Sequence, residues 1–211
     1  MAGEVRVDHA VSSGTFSLDG ETHQVDNNIW VVGDDDECVV IDAPHSVSDI
    51  LALVGDRTVK AILLTHAHDD HCRVAPALRE EANGGQGAPI MLHPDDKEVW
   101  ELTHTDRLWD VDLHDGFEIA VGGTTLRAIH TPGHAPGAVC FHAAGLGCVF
   151  TGDTLFQGGP GATGRSFSDE DLIKESIRAR LFVLPDDTVV HTGHGGDTTI
   201  GAERAALGDA D

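Results

Sequence analysis

The stretch VKAILLTHAHDDH, residues 59–71, runs from a continuous apolar segment straight into three histidines and two aspartates. A short apolar run of this kind reads as a buried strand. His66, His68, Asp69, Asp70 and His71 therefore gather at a strand end, where a rigid scaffold can hold a loop in place. Crowding so many ionisable groups beside a buried strand leaves two readings. Either they form a solvated polar loop, or they surround something positive.

The same pattern recurs further along the chain. LRAIHTPGH ends an apolar run near His134, GCVFTGDT places Asp153 after another, and VVHTGH places His194 after a third. Taken alone, His134 or His194 reads as an ordinary surface-loop residue. The density of H-x-H-x-D-H favours a metal, because neutral imidazole and carboxylate are the usual non-thiolate ligands of zinc. His66 and His68, two apart, can point to one side and grip one ion. Asp70 and His71 can turn to a second, and an aspartate such as Asp153 can bridge both.

Composition narrows the function classes. The chain has 211 residues and a formal net charge of −23, from 36 acidic and 13 basic side chains. Nucleic acid is a poor partner for such a surface, since binding phosphates requires Lys and Arg to displace counterions. Anionic membranes are disfavoured for the same reason. No apolar run approaches the ~20 residues that cross a bilayer. The start, MAGEVRVDHAV, has no basic segment followed by an apolar one, so a cytoplasmic location is expected. Cys38, Cys140 and Cys148 lie in apolar runs and read as buried thiols, and no disulfide is expected. Cys72, beside His71, is either a thiol near the metals or simply a small residue starting a helix.

The remaining elements follow from periodicity and breakers. GTFSLDG, HQVDNNIWVVGDD, ECVVIDA, APIMLHP and TVVHTGHGG read as strands, as do the pairs within FEIAVGGTTLRAIH and GAVCFHAAGLGCVFTGDTLF. SVSDILALVG reads as a helix capped by Ser46 and stopped at Gly55. RVAPALREEANGG and PDDKEVWELT read as helices, and SDEDLIKESIRARLFVLP as an amphipathic helix capped by Ser168 and closed by Pro185. Each half of the chain runs strands first, helices later. That order predicts an α/β (α+β) protein, with two mixed sheets packed face to face and helices outside. Trp100, Trp109 and His104 fall in a helix–loop region that either covers the site or packs the core.

Together, THAHDDH, TPGHAPG, FTGDTLF and HTGHG resemble the metallo-β-lactamase superfamily, in that family's order and across nearly the whole chain. The resemblance implies an αββα sandwich, here a single domain over residues 1–211, and two divalent metal ions. Zinc is the favoured metal, with iron or manganese as alternatives. It assigns His66, His68 and His134 to one ion, and Asp70, His71 and His194 to the other. Asp153 bridges them, and Asp42 in VVIDAPH supports the ligands from behind.

GDTLFQGGPGATGRSFSD further resembles the hydroxyacylglutathione hydrolase (glyoxalase II) branch, where a Gly-Arg pair, here Gly164-Arg165, precedes a helix. The helical glutathione-binding domain that follows in longer members is expected to be missing here. Arg73 is the nearest candidate for a carboxylate clamp, and Arg165 either contacts substrate or pairs with an acid to hold its loop. The resemblance extends to short proteins of high-GC actinobacteria, which use mycothiol in place of glutathione. It implies a small-molecule thioester as substrate. A hydroxide held between the ions attacks the carbonyl, with Asp70 both ligating and orienting the nucleophile. The alternatives are a persulfide dioxygenase with one iron on His66, His134 and Asp153, or a lactonase. His45, close after Asp42, is a further residue able to approach the metal edge.

Overall fold

The computed structural model describes residues 3–208. The first sheet is formed by β1 (Arg6–Leu18), β2 (Glu21–Gly33), β3 (Glu37–Ile41), β4 (Thr58–Leu63), β5 (Ile90–Leu92) and β6 (Val111–Asp112), side by side in that order. The second contains β7 (Glu118–Val121), β8 (Thr124–His130), β9 (Val139–Ala143) and β10 (Cys148–Gly152). A small hairpin, β11 (Leu155–Phe156) and β12 (Gly159–Pro160), leaves the sheet, and β13 (Val189–Thr192) and β14 (Thr198–Thr199) complete it beside β10. Both sheets are mixed: β3 to β6 run parallel to one another, and β13 runs parallel to β10.

The apolar runs are continuous because both faces of these strands are covered. Trp30, Val32, Val39, Ile41, Ala61 and Leu63 meet Leu126, Ala128, Val139, Phe141 and Phe150 between the sheets. Their neighbours in sequence, Ile29, Val31, Val40, Ile62 and Leu64, point the other way. There they pack under α1 (Val47–Val54), α2 (Asp69–Cys72), α3 (Ala75–Gly85) and α4 (Lys97–Thr103). On the far side, Cys140, Val149 and Val190 pack under α5 (Glu170–Ser176), the π-turn that continues it, and α6 (Ile200–Gly208). This is the period-two alternation of a strand buried on both faces, and it yields four layers in the order α, β, β, α.

Several local expectations are corrected. Ser168 does not cap α5: the cap is Asp169, whose carboxylate accepts from Leu172 N, while the Ser168 hydroxyl accepts from Gly164 N and Arg165 N. Strand β1 begins well before GTFSLDG, and it turns into β2 through Asp19 and Gly20, with φ of 55° and 80°. Two consecutive positive φ values suit a tight hairpin turn. Helix α6 carries little apolar periodicity and escapes detection by pattern. Ser46 caps α1 and Gly55 ends it, as its sequence predicts.

Trp100 is fully buried among the outer core residues, its Nε1–H donates to Arg107 O at 2.7 Å, and its ring lies against His104 and Trp109. Nε2 of His104 donates to Cys72 O at 3.0 Å, so this group braces α2 from behind. Replacing Trp100 by Ala is expected to cost about 3–5 kcal/mol of stability, measured by denaturant unfolding, because a large cavity opens beneath the helices.

Candidate metal centre

Strand β4 ends at Leu63, and the chain then crosses the sheet edge as irregular backbone over Thr65 to His68 before α2 begins. His66, His68, Asp70 and His71 are all buried there. Their loop is held by Asp42, which adopts φ of 62° at the end of β3 and accepts from Thr65 N at 2.7 Å and Thr65 Oγ1 at 2.8 Å.

Two groups of candidate ligands converge. His68 Nδ1 lies 3.0 Å from both His66 Nε2 and His134 Nε2. His194 Nε2 lies 3.2 Å from His71 Nε2 and 3.3 Å from Asp70 Oδ2. Asp153 stands between them: its Oδ2 is 3.6 Å from His134 Nε2 and 3.4 Å from His194 Nε2, and its Oδ1 is 3.3 Å from His71 Nε2. The structure thus brings His66, His68, Asp70, His71, His134, Asp153 and His194 to one place.

The outer ring nitrogens show which inner ones carry lone pairs. Nδ1 of His134 donates to Ala162 O at 2.9 Å, Nδ1 of His194 to Asp26 O at 2.8 Å, and Nδ1 of His71 to Asp42 Oδ2 at 2.8 Å. Each fixes a tautomer with its Nε2 aimed inward, the usual way a protein orients a metal-binding imidazole. Asp42 therefore touches the candidate ligand His71 through that ring's outer nitrogen.

These donors fit divalent cations. In the first set, burial pushes His66, His68 and His134 down, His68 to about 3, so three neutral rings face one another at contact distance. Lone pairs so placed repel unless a proton or a cation lies among them. Asp153 Oδ1 is buried with no hydrogen-bond partner among the described residues. In the second set, burial opposes charge on every group, yet Asp153, Asp70 and Asp42 raise His71, and Asp153 and Asp70 raise His194 to about 10. Burial likewise works against the Asp70 carboxylate, but His71 and His194 hold it down to about 2. The carboxylates demand positive charge that two protons only partly provide. Gly193 keeps the space open: a Cβ there would lie 2.3 Å from Asp153 Oδ1 and 2.8 Å from His71 Cε1.

A cavity of about 330 Å³ opens over these groups, walled by Phe16, Val25, Ala162 and Arg165. Arg165 lies over the Phe16 ring at 4.9 Å, its Nη2 donates to His23 Nε2 at 3.3 Å, and among the described residues it pairs with no carboxylate. Arg73 is not a free clamp. Its guanidinium is bound to Asp69 and donates to Thr15 O at 2.7 Å, pinning α2 to β1. The pairing also accounts for Asp69, the one acid of the cluster turned away from the ligands. Cys72 is fully buried against Ala67 O, and burial pushes its thiol well up, which makes it a packing residue.

Two residues escaped sequence reasoning. Asn27 donates to Asp70 Oδ2 at 3.2 Å, and its only sequence signal is a polar residue inside a buried strand. Asp96 accepts from Ala67 N at 2.8 Å and Gly137 N at 2.5 Å, tying together the loops that carry His66, His68 and His134. A further group, His93, Asp95 and His130, lies apart. Its two rings stack at 4.0 Å with 12° between planes, so their in-plane lone pairs do not converge.

The family model for the metallo-beta-lactamase superfamily matches residues 24–194. Hydroxyacylglutathione hydrolase GloC of Haemophilus influenzae is 31% identical over 187 residues, covering 83% of this chain and 87% of that protein. The crystal structure of BLEG-1 B3 metallo-beta-lactamase superposes with a TM-score of 0.77 at 28% identity, over 92% of this chain and 97% of that one. That of TTHA1623 in a di-iron-bound form superposes with a TM-score of 0.74 at 30% identity, over 92% and 96%.

Proposed function

Because the chain belongs to the metallo-beta-lactamase superfamily, we propose that it is a two-metal hydrolase that cleaves a small-molecule thioester. The observation that carries this reading is Asp153, within reach of two ligand sets at the floor of an open cavity. The likeness to hydroxyacylglutathione hydrolase supports a thioester over other acyl compounds. Residues from both sheets share one inner core, which supports a single domain over residues 1–211.

His66, His68 and His134 would hold one cation, Asp70, His71 and His194 the other, and Asp153 would serve both. Zinc suits the histidine-rich set, with iron or manganese as alternatives. A bound pair of cations supplies Lewis acidity and hydroxide at neutral pH. Asp70, fixed by its neighbours, orients the attacking water. Hydrolysis forms one bond from water oxygen to the carbonyl carbon and breaks the C–S bond. The sulfur leaves as a thiolate, stable enough that no strong general acid is required. Phe16 and Arg165 at the rim face the part of the substrate beyond the carbonyl.

The test pairs metal analysis of the purified protein with glutathione and mycothiol thioesters. The expected result is two divalent ions per chain, and thioester hydrolysis that a chelator abolishes and added metal restores. Two bound ions with no thioester cleaved would defeat the substrate class and leave a lactone as the next ester to try. The relative with a di-iron-bound form keeps iron in view. A single iron, with oxygen consumed on a persulfide, would replace hydrolysis with dioxygenation.

A further inference from the structure

Asn27 and His45 belong to no ligand set, yet they adjoin the second one. Nδ2 of Asn27 lies 3.2 Å from Asp70 Oδ2, 3.4 Å from His71 Nε2 and 3.4 Å from His194 Nε2. The amide nitrogen is thus nearly equidistant from all three donors. Behind it, Nε2 of His45 is 2.8 Å from Asn27 Oδ1. Asn27 is buried, at 1% exposure.

The direction of these hydrogen bonds follows from what each atom meets. His45 Nδ1 is buried without a partner, so a proton placed there would be stranded. The neutral ring therefore carries its proton on Nε2 and donates to Asn27 Oδ1. With its oxygen so engaged, the Asn27 amide must turn its N–H groups toward Asp70. An amide nitrogen offers no lone pair, so in this orientation the amide adds no ligand.

The ring of His45 has a prepared seat. It lies on the bare backbone of β1 at Gly14, where a Cβ would come within 2.4 Å of the imidazole. Gly14 does not have positive φ, so its role here is to leave room for the ring rather than to relieve the backbone.

We propose that Gly14, His45 and Asn27 form a positioning relay, in which the His45 imidazole locks the Asn27 amide so that it donates to Asp70 and cannot turn its oxygen into the second metal set. The relay rests on the reading of Asp70, His71 and His194 as ligands. It makes one metal position depend on residues that touch no metal, while the position held by His66, His68 and His134 stays independent of them.

The test is titration of the metal-free full chain with Zn²⁺, and with Co²⁺ followed by its visible spectrum. The unmodified protein takes two equivalents. Asn27→Ala weakens one of them by about 10–100-fold, the usual effect of removing a ligand's hydrogen-bond partner, and leaves the other unchanged. His45→Ala and Gly14→Ala free the amide, weaken the same equivalent and alter the Co²⁺ spectrum. His45→Gln, which restores an N–H donor at a similar reach, returns both affinity and spectrum. If Asn27→Ala keeps both affinities and the unmodified spectrum, the relay is wrong. Should Asn27→Ala not fold, His45→Ala decides alone: unaltered affinity and spectrum overturn the relay, and a loss that His45→Gln repairs supports it. An unmodified protein that takes fewer than two equivalents overturns the ligand reading and the relay with it.

Discussion

Asp153→Ala is expected to lose both metal ions and to lower hydrolytic turnover at least about a thousandfold, since a metal supplies several kcal/mol of transition-state stabilisation at 1.4 kcal/mol per tenfold in rate. No other carboxylate of the site reaches both ligand sets: Asp153 lies 3.6 Å from the nearest nitrogen of one and 3.3–3.4 Å from nitrogens of the other. His66→Ala should instead weaken one equivalent first, because its Nε2 makes its 3.0 Å contact with His68 Nδ1, inside the first set. Metal stoichiometry and turnover on the same preparations check both. Full metal content and full turnover in Asp153→Ala would remove the bridging role.

The second large effect is on stability. Asp96 is fully buried, and its carboxylate takes two backbone N–H groups, one from each loop of the first ligand set. Asp96→Leu would leave both donors buried and unmet, at about 1–3 kcal/mol each, so a total loss of roughly 2–6 kcal/mol is expected from denaturant unfolding. Unchanged stability would show the clamp to be idle.

The same residue has a pH signature in metal-free protein. Burial pushes Asp96 from 3.8 up to about 7, although both backbone donors favour the ionised form. Between those values the folded state binds a proton that the unfolded state has released. The Asp96 contribution is therefore fully present below pH 3.8 and is lost as pH rises through about 7. Compared with Asp96→Asn, the unmodified protein should lose stability across that interval; parallel profiles would contradict the shift.

The strands, most helices and the seven candidate ligands were legible because each rests on local pattern. Val39 and Ile41 alternate with Cys38 and Val40 whatever they pack against, and HAHDDH is dense enough to stand out unaided. Asn27, Asp96 and the partner of Arg73 were not legible. Asn27 meets Asp70 across 43 residues, Asp96 meets Gly137 across 41, and Arg73 meets Thr15 across 58. Asp69, four residues before Arg73, is within helical reach, but nothing nearby shows that Thr15 takes the rest of the guanidinium. Ser168 looked like a cap because serine commonly caps helices, but Asp169, one position on, has the carboxylate that reaches Leu172 N.

By itself, then, the sequence determined which faces are buried and which side chains have the chemistry of metal ligands, since residue type and period act over a few neighbours. Only the tertiary structure decided which silent residues, Asn27 and Asp96 among them, hold those candidate ligands in place. A buried polar group is defined by what long-range packing brings to it, and THAHDDH acquires its partners only when β8, β10 and β13 bring His134, Asp153 and His194 beside it.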